Sequence, residues 1–357
     1  MPLPRSAKAT ETVLGRATRA IVLENDLVSA TVLIDQGADI HTLVYKPRGV
    51  DVLWKSPRPP REHGVGPPVQ GDSETLWHHY YRGGWNTIFP NFGPAVVHRG
   101  APLDFHGEAA RSPWELEGVE STEEGVRVTM AVTLIKSPFH VRREMSLEAG
   151  QPVLSIRETV THDGVEPMEC MWGHHPTFGP PLLSPGAVID TGARSIQSDD
   201  GAEVPNTDLA PGETWAWPDA RDRQGAPVDM SRVPEPGSGL SRVVYLKDFS
   251  EGWYAITNPA LGWGAGLVWD AGLFPYACFW QETGGERGYP FFGRAYVTAI
   301  EPFSCYPGIG LTRVMETTAT HLTLEPGESR TVELKAVFYD GTERVSRIDP
   351  SGTVERR

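Results

Sequence analysis

Arg82-Gly83-Gly84-Trp85-Asn86-Thr87-Ile88-Phe89-Pro90-Asn91-Phe92-Gly93-Pro94 is too rich in glycine and proline to be helical. A second block stands a dozen residues downstream: Phe105-His106-Gly107-Glu108-Ala109-Ala110-Arg111-Ser112-Pro113-Trp114-Glu115-Leu116. Together they bring an arginine, a histidine and several aromatic rings onto residues 82–116. Planar cations, imidazole and exposed rings are the materials of a sugar site.

The same texture extends along the chain. Gly 38 and Pro 32 make 70 of 357 residues, well above the ~12% of average usage. Short apolar or alternating runs recur at 20–24, 28–34, 42–45, 126–136, 140–147, 153–161, 242–246, 253–257, 266–269, 277–281, 294–301 and 330–338. Most are bounded by Gly, Pro, Asn or Asp, the pattern of strands closed by turns. Helical periodicity is scarce. The expectation is an all-β chain, with a flexible N-terminal tail over 1–19, one large antiparallel β-sandwich over 20–340 and a polar C-terminal tail over 341–357. Residues 56–71 and 201–239 read as long surface loops, of the kind that form lids or insertions.

A formal net charge of −14 makes nucleic acid and anionic membranes poor partners. Cys170, Cys278 and Cys305 are odd in number and form no C-x-x-C, so neither a disulfide framework nor a Cys-rich zinc site is indicated. No apolar run reaches signal-peptide or membrane-span length. The expectation is a soluble, cytoplasmic protein, monomeric or homodimeric.

Four constellations could carry chemistry. Arg82 either enters a cleft or pairs with a surface carboxylate, and His106 with Trp114 is either part of a site or structural. In Met171-Trp172-Gly173-His174-His175-Pro176-Thr177-Phe178, neighbouring residues of an extended chain face opposite ways, so only one of His174 and His175 can enter a given cleft. Glu301 closes the apolar run Ala295-Tyr296-Val297-Thr298-Ala299-Ile300 before Pro302. Desolvation there would suit it to general-base work, whereas at an exposed strand end it would only be solvated. The histidines offer no H-E-x-x-H, Gly262-Trp263-Gly264-Ala265-Gly266 is no dinucleotide fingerprint, and no G-x-S-x-G is present.

In order, these blocks resemble the aldose 1-epimerase (galactose mutarotase-like) superfamily, nearest in motif to its hexose-6-phosphate mutarotase branch. Arg82, Gly83, Gly84, Pro90, Phe92, Gly93 and Pro94 match that branch's R-G-G-x-P-x-x-x-P-x-F-G-P, with Asn86 where it has proline. His106-Gly107 followed by Ser112, Trp114, Glu115 and Leu116 resembles H-G-F-A-R-N-S-x-W-E-L, but Ala110 replaces its arginine and Arg111 stands one place later. His175-Pro176-Thr177-Phe178 is similar to H-x-Y-F, and Ile300-Glu301-Pro302 to the late I-E-P. The resemblance implies a mutarotase supersandwich that interconverts sugar anomers without a cofactor or metal. Glu301 would be base and His175 acid. Arg82, His106, Asn86 and His174 would contact the sugar, and Trp114 or Trp280 would stack on it. Two other functions fit the same residues: a carbohydrate-binding or sensing protein without catalysis, and a metal-dependent sugar isomerase or lyase using the histidine-rich rim.

Overall fold

The computed structural model describes residues 7–357 except 59–60, 63–64, 66–69, 202–203 and 205–206. Parts of both expected loops thus lie outside the described residues.

Two large antiparallel sheets face each other. The first, of twelve strands, runs in the order Lys8–Leu14, Thr18–Glu24, Val28–Leu33, Asp39–Tyr45, Trp85–Ile88, Gly173–Phe178, Val297–Phe303, Tyr276–Glu282, Ser241–Lys247, Ser195–Ser198, Thr214–Ala216, with Val50–Asp51 beside Asp39–Tyr45. The second, of eight, runs Val188–Thr191, Gly252–Asn258, Trp263–Trp269, Ser329–Asp340, Val153–His162, Phe139–Glu148, Gly125–Thr133, Glu115–Ser121. This is the all-β sandwich expected, and each apolar run named from sequence falls on one of these strands.

Strand periodicity explains where the site must lie. On Val297–Phe303, Ile300 joins the core between the sheets, while Val297 and Phe303 join a separate cluster on the outer face of the first sheet. Ala277 and Phe279 face inward on the neighbouring strand, and Cys278 and Trp280 outward. Ile300, Phe279 and Leu246 are wholly buried between the sheets, each worth ~1.5–3 kcal/mol. The outer cluster is roofed by chain between the strands and by two short helices, α1 (Ser73–Tyr80) and α2 (Leu311–Thr317).

The expected tails differ from the structure. Lys8–Leu14 pairs with Thr18–Glu24 along its whole length. Val345–Ile348 and Val354–Arg356 form a hairpin whose Val345 and Ile348 are buried against Trp253 and Val337. Both segments are rich in exposed polar residues, which made them read as tails. Among the described residues no helix is long and apolar enough to cross a membrane.

Candidate active site

Adjacent strands of the first sheet bring His175 and Glu301 together. The pairs Gly173↔Phe303 and Thr177↔Ala299 set these two residues opposite each other. His175 Nε2 stands 3.5 Å from Glu301 Oε1, and both residues are buried. They form the floor of a cavity of about 430 Å³, within the ~300–1,000 Å³ of small-molecule sites. Its walls are aromatic: Trp77 and Tyr81 from α1 and its end, Phe92 and Phe105 from the chain beyond, Trp280 and Phe291 opposite.

The Arg82 block supplies the wall beside His106. Asn91, wholly buried, donates to the carbonyls of Pro94 and Asp104 and accepts from the Leu311 N–H, tying the block to α2. Gly93 N–H donates to His106 Nδ1 at 3.1 Å. The neutral ring therefore carries its proton on Nε2, the nitrogen left to meet a ligand. Phe92 stacks on His106, whose centroid is 6.0 Å from that of His175.

Burial is the main electrostatic influence. It pushes the His175 imidazole down to about 4. Burial, reinforced by His175 and His78, lowers His106 well below the usual histidine range. Both rings are thereby biased toward their neutral form.

Four residues expected at the ligand stand elsewhere. His174 points between the sheets, where its Nδ1 accepts from Trp85 Nε1 and its Nε2 lies 3.4 Å from Glu158. Trp114 is also in that core, donating to the Ala109 carbonyl beneath the Arg143 guanidinium. Arg82 does not line the cavity: it is half-buried, and its Nε donates to Gln36 Oε1 at 3.3 Å. Asn86, opposite His175 in register, is buried next to Asp39 and also does not line the cavity. Ala110 is buried, and Arg111 lies 4.0 Å from Asp104 rather than in the cavity.

The sequence reading missed α1 and the 284–294 loop. α1 was legible from Asp72, whose side chain accepts from Thr75 N–H as an N-cap, with Glu74 in the first turn. The Gly-bounded Gly284-Gly285-Glu286-Arg287-Gly288-Tyr289-Pro290-Phe291-Phe292-Gly293 was legible as an aromatic loop just before the Glu301 strand. Among the described residues, no group of three or more His, Cys, Asp or Glu is placed to hold a metal ion.

Solved structures share this architecture. A Klebsiella pneumoniae protein provisionally named an aldose 1-epimerase superposes with a TM-score of 0.71 at 17% identity, covering 94% of this chain and 84% of that one. A galactose mutarotase-like protein from Clostridium acetobutylicum gives 0.66 at 15% identity, over 94% and 99%. An Escherichia coli protein, also provisionally named an aldose 1-epimerase, gives 0.58 at 18% identity, over 93% and 100%. At such identities the likeness establishes the galactose mutarotase-like fold. No curated protein sequence matches the chain. Residues 15–337 match the profile of the family described as a domain of unknown function, DUF4432, and the chain belongs to that family.

Proposed function

We propose that the protein is an aldose 1-epimerase acting on a small sugar in the cleft over Glu301 and His175. The observation that supports it is the meeting of a carboxylate and an imidazole, 3.5 Å apart, on the floor of an aromatic-walled cavity. Anomer interconversion is proton transfer. A base takes the proton of the anomeric hydroxyl, the ring carbon–oxygen bond breaks, and the ring oxygen takes a proton. The aldehyde then turns about the C1–C2 bond and recloses with the two roles exchanged.

Glu301 is the base in this scheme. His175 fills the acid's place as a neutral ring: its N–H holds the ring oxygen by a hydrogen bond as charge develops there, and Glu301 hands on to that oxygen the proton it took from the anomeric hydroxyl. A neutral imidazole is known to fill the electrophilic role at an enolising centre. His106 Nε2–H polarises a second oxygen, and Trp280 or Trp77 offers an apolar face to the sugar's C–H groups. Three free, buried cysteines suit a reducing compartment, and we place the activity in the cytoplasm.

The test is anomer exchange followed by polarimetry or NMR over a panel of aldoses. Glu301→Gln and His175→Asn are each expected to slow exchange about 10²–10⁴-fold with unchanged circular dichroism. Rates near wild type in either variant overturn the assignment. Sugar binding without exchange in the wild type replaces it with a binding protein on the same scaffold.

A further inference from the structure

Besides Glu301, two carboxylates line the cavity, and a third lies close behind one of them. Glu74 stands in the first turn of α1, Glu286 in the 284–294 loop, and both line the cavity. Glu282 ends the strand Tyr276–Glu282 on the face that carries Cys278 and Trp280, both of which line the cavity. Its Oε1 accepts from the N–H groups of Gly284 and Glu286 at 2.8 and 3.1 Å, whereas its Oε2, in a wholly buried side chain, has no partner among the described residues.

Among the described residues, no cation acts on Glu286. The charges that act on Glu286 are Glu282 and Glu74, both negative, and with burial they push it up to about 7. Carboxylates withdrawn from water are normally paired. Glu286, half-buried on the wall of a ligand-sized cavity with exposed Glu74 nearby and the orphaned Glu282 oxygen behind it, makes a receptacle for positive charge. The cavity is poorly built for the opposite sign. Arg313 is its sole lining arginine among the described residues and is exposed, so the forked pair that grips a phosphate is missing.

We infer that Glu74 and Glu286, with Glu282 behind them, receive an ammonium group, so that the sugar bound in this cleft is an amino sugar rather than a phosphorylated or acidic one. In calling the ligand a sugar the inference rests on the function proposed above. Calorimetric titration near neutral pH compares glucosamine, galactosamine and mannosamine with their N-acetyl counterparts and with glucose 6-phosphate. The best amino sugar is expected to bind about tenfold or more tighter than its N-acetyl counterpart, the scale of one charge-assisted hydrogen bond. That ratio should fall to near one in the Glu74→Gln/Glu286→Gln double variant.

Equal affinity for charged and acetylated forms, tighter binding of the 6-phosphate, no binding by any of them, or a ratio that survives in the double variant each overturn the inference. Anomer exchange measured separately on the wild type keeps the two readings apart. Exchange without ammonium preference removes only the inference, and ammonium preference without exchange removes only the epimerase.

Discussion

Replacing Glu158 by glutamine should cost the fold more than any change in the cleft. Glu158 is fully buried between the sheets and gathers four partners. Its Oε2 accepts from Arg143 Nε at 2.6 Å and from Thr87 Oγ1 at 3.1 Å. Its Oε1 accepts from Trp172 Nε1 at 2.9 Å and lies 3.4 Å from His174 Nε2. Burial alone would raise the Glu158 carboxyl, but Arg143 and His174 outweigh it and hold the group well below the usual carboxylate range. Arg143, just 2% exposed, also donates to Thr87 and the Ala38 carbonyl. Glu158→Gln keeps the shape and removes the charge, leaving the guanidinium buried and uncompensated. The expected loss is about 3–5 kcal/mol, a large share of the ~5–15 kcal/mol that holds a protein together.

Urea unfolding followed by tryptophan fluorescence measures it. Arg143→Met/Glu158→Leu should recover much of the loss, because both charges leave together. The recovery stays incomplete because Thr87 and Trp172 lose acceptors, at about 1–3 kcal/mol each. A loss under ~1 kcal/mol for the single variant would mean that water reaches the pair, and the argument from desolvation would fail.

The remaining predictions concern the imidazoles and one glycine. Because burial takes His175 down to about 4, kcat/KM should stay level through pH 6.5 and fall only as pH approaches 4. A break near 6.5 in the rate profile would show a charged ring at work. The same depression acts on stability: between the folded value and the ordinary ~6.5 the unfolded chain binds the extra proton. The His175 contribution is therefore complete above pH 6.5 and declines on acidification by about 1.4 kcal/mol per unit, measurable as melting temperature against pH in wild type and His175→Asn. Gly93 has φ +87, and a Cβ there would lie 1.7 Å from the Gly308 carbonyl oxygen. Gly93→Ala should cost at least about 2 kcal/mol and disturb the bond to His106. An unchanged melting temperature would contradict that close approach.

The fold was legible because each strand keeps its period of two between turn residues, as in Val153–His162 with its alternating burial. Of the site, Glu301, His175, His106 and Trp280 were legible, and all four line the cavity. His174 was not separable from His175 by the residues alone. Strand geometry sends neighbours to opposite faces but does not say which face is the cleft. Trp114 misled for a related reason: an indole suits a sugar face and a core equally, and only the Arg143 guanidinium above it decides. Arg82 and Asn86 sit on the right strand and its approach, but Gln36 and Asp39, far away in sequence, claim them. The acidic end of the cavity was invisible because Glu74 and Glu286 lie more than two hundred residues apart.

The division of the first sheet into an outer and an inner face has a bearing on how such a protein can diversify. Val297, Glu301 and Phe303 address the ligand side, while Ile300 on the same strand addresses the other sheet. The lining of the cavity and the seam between the sheets are thus written on alternate letters of one short text. Drift on the odd letters can retune what enters the cleft and leave the scaffold intact. A single inserted residue would exchange the two messages at once, so lineages built on this sheet should vary freely by substitution here and scarcely ever by length.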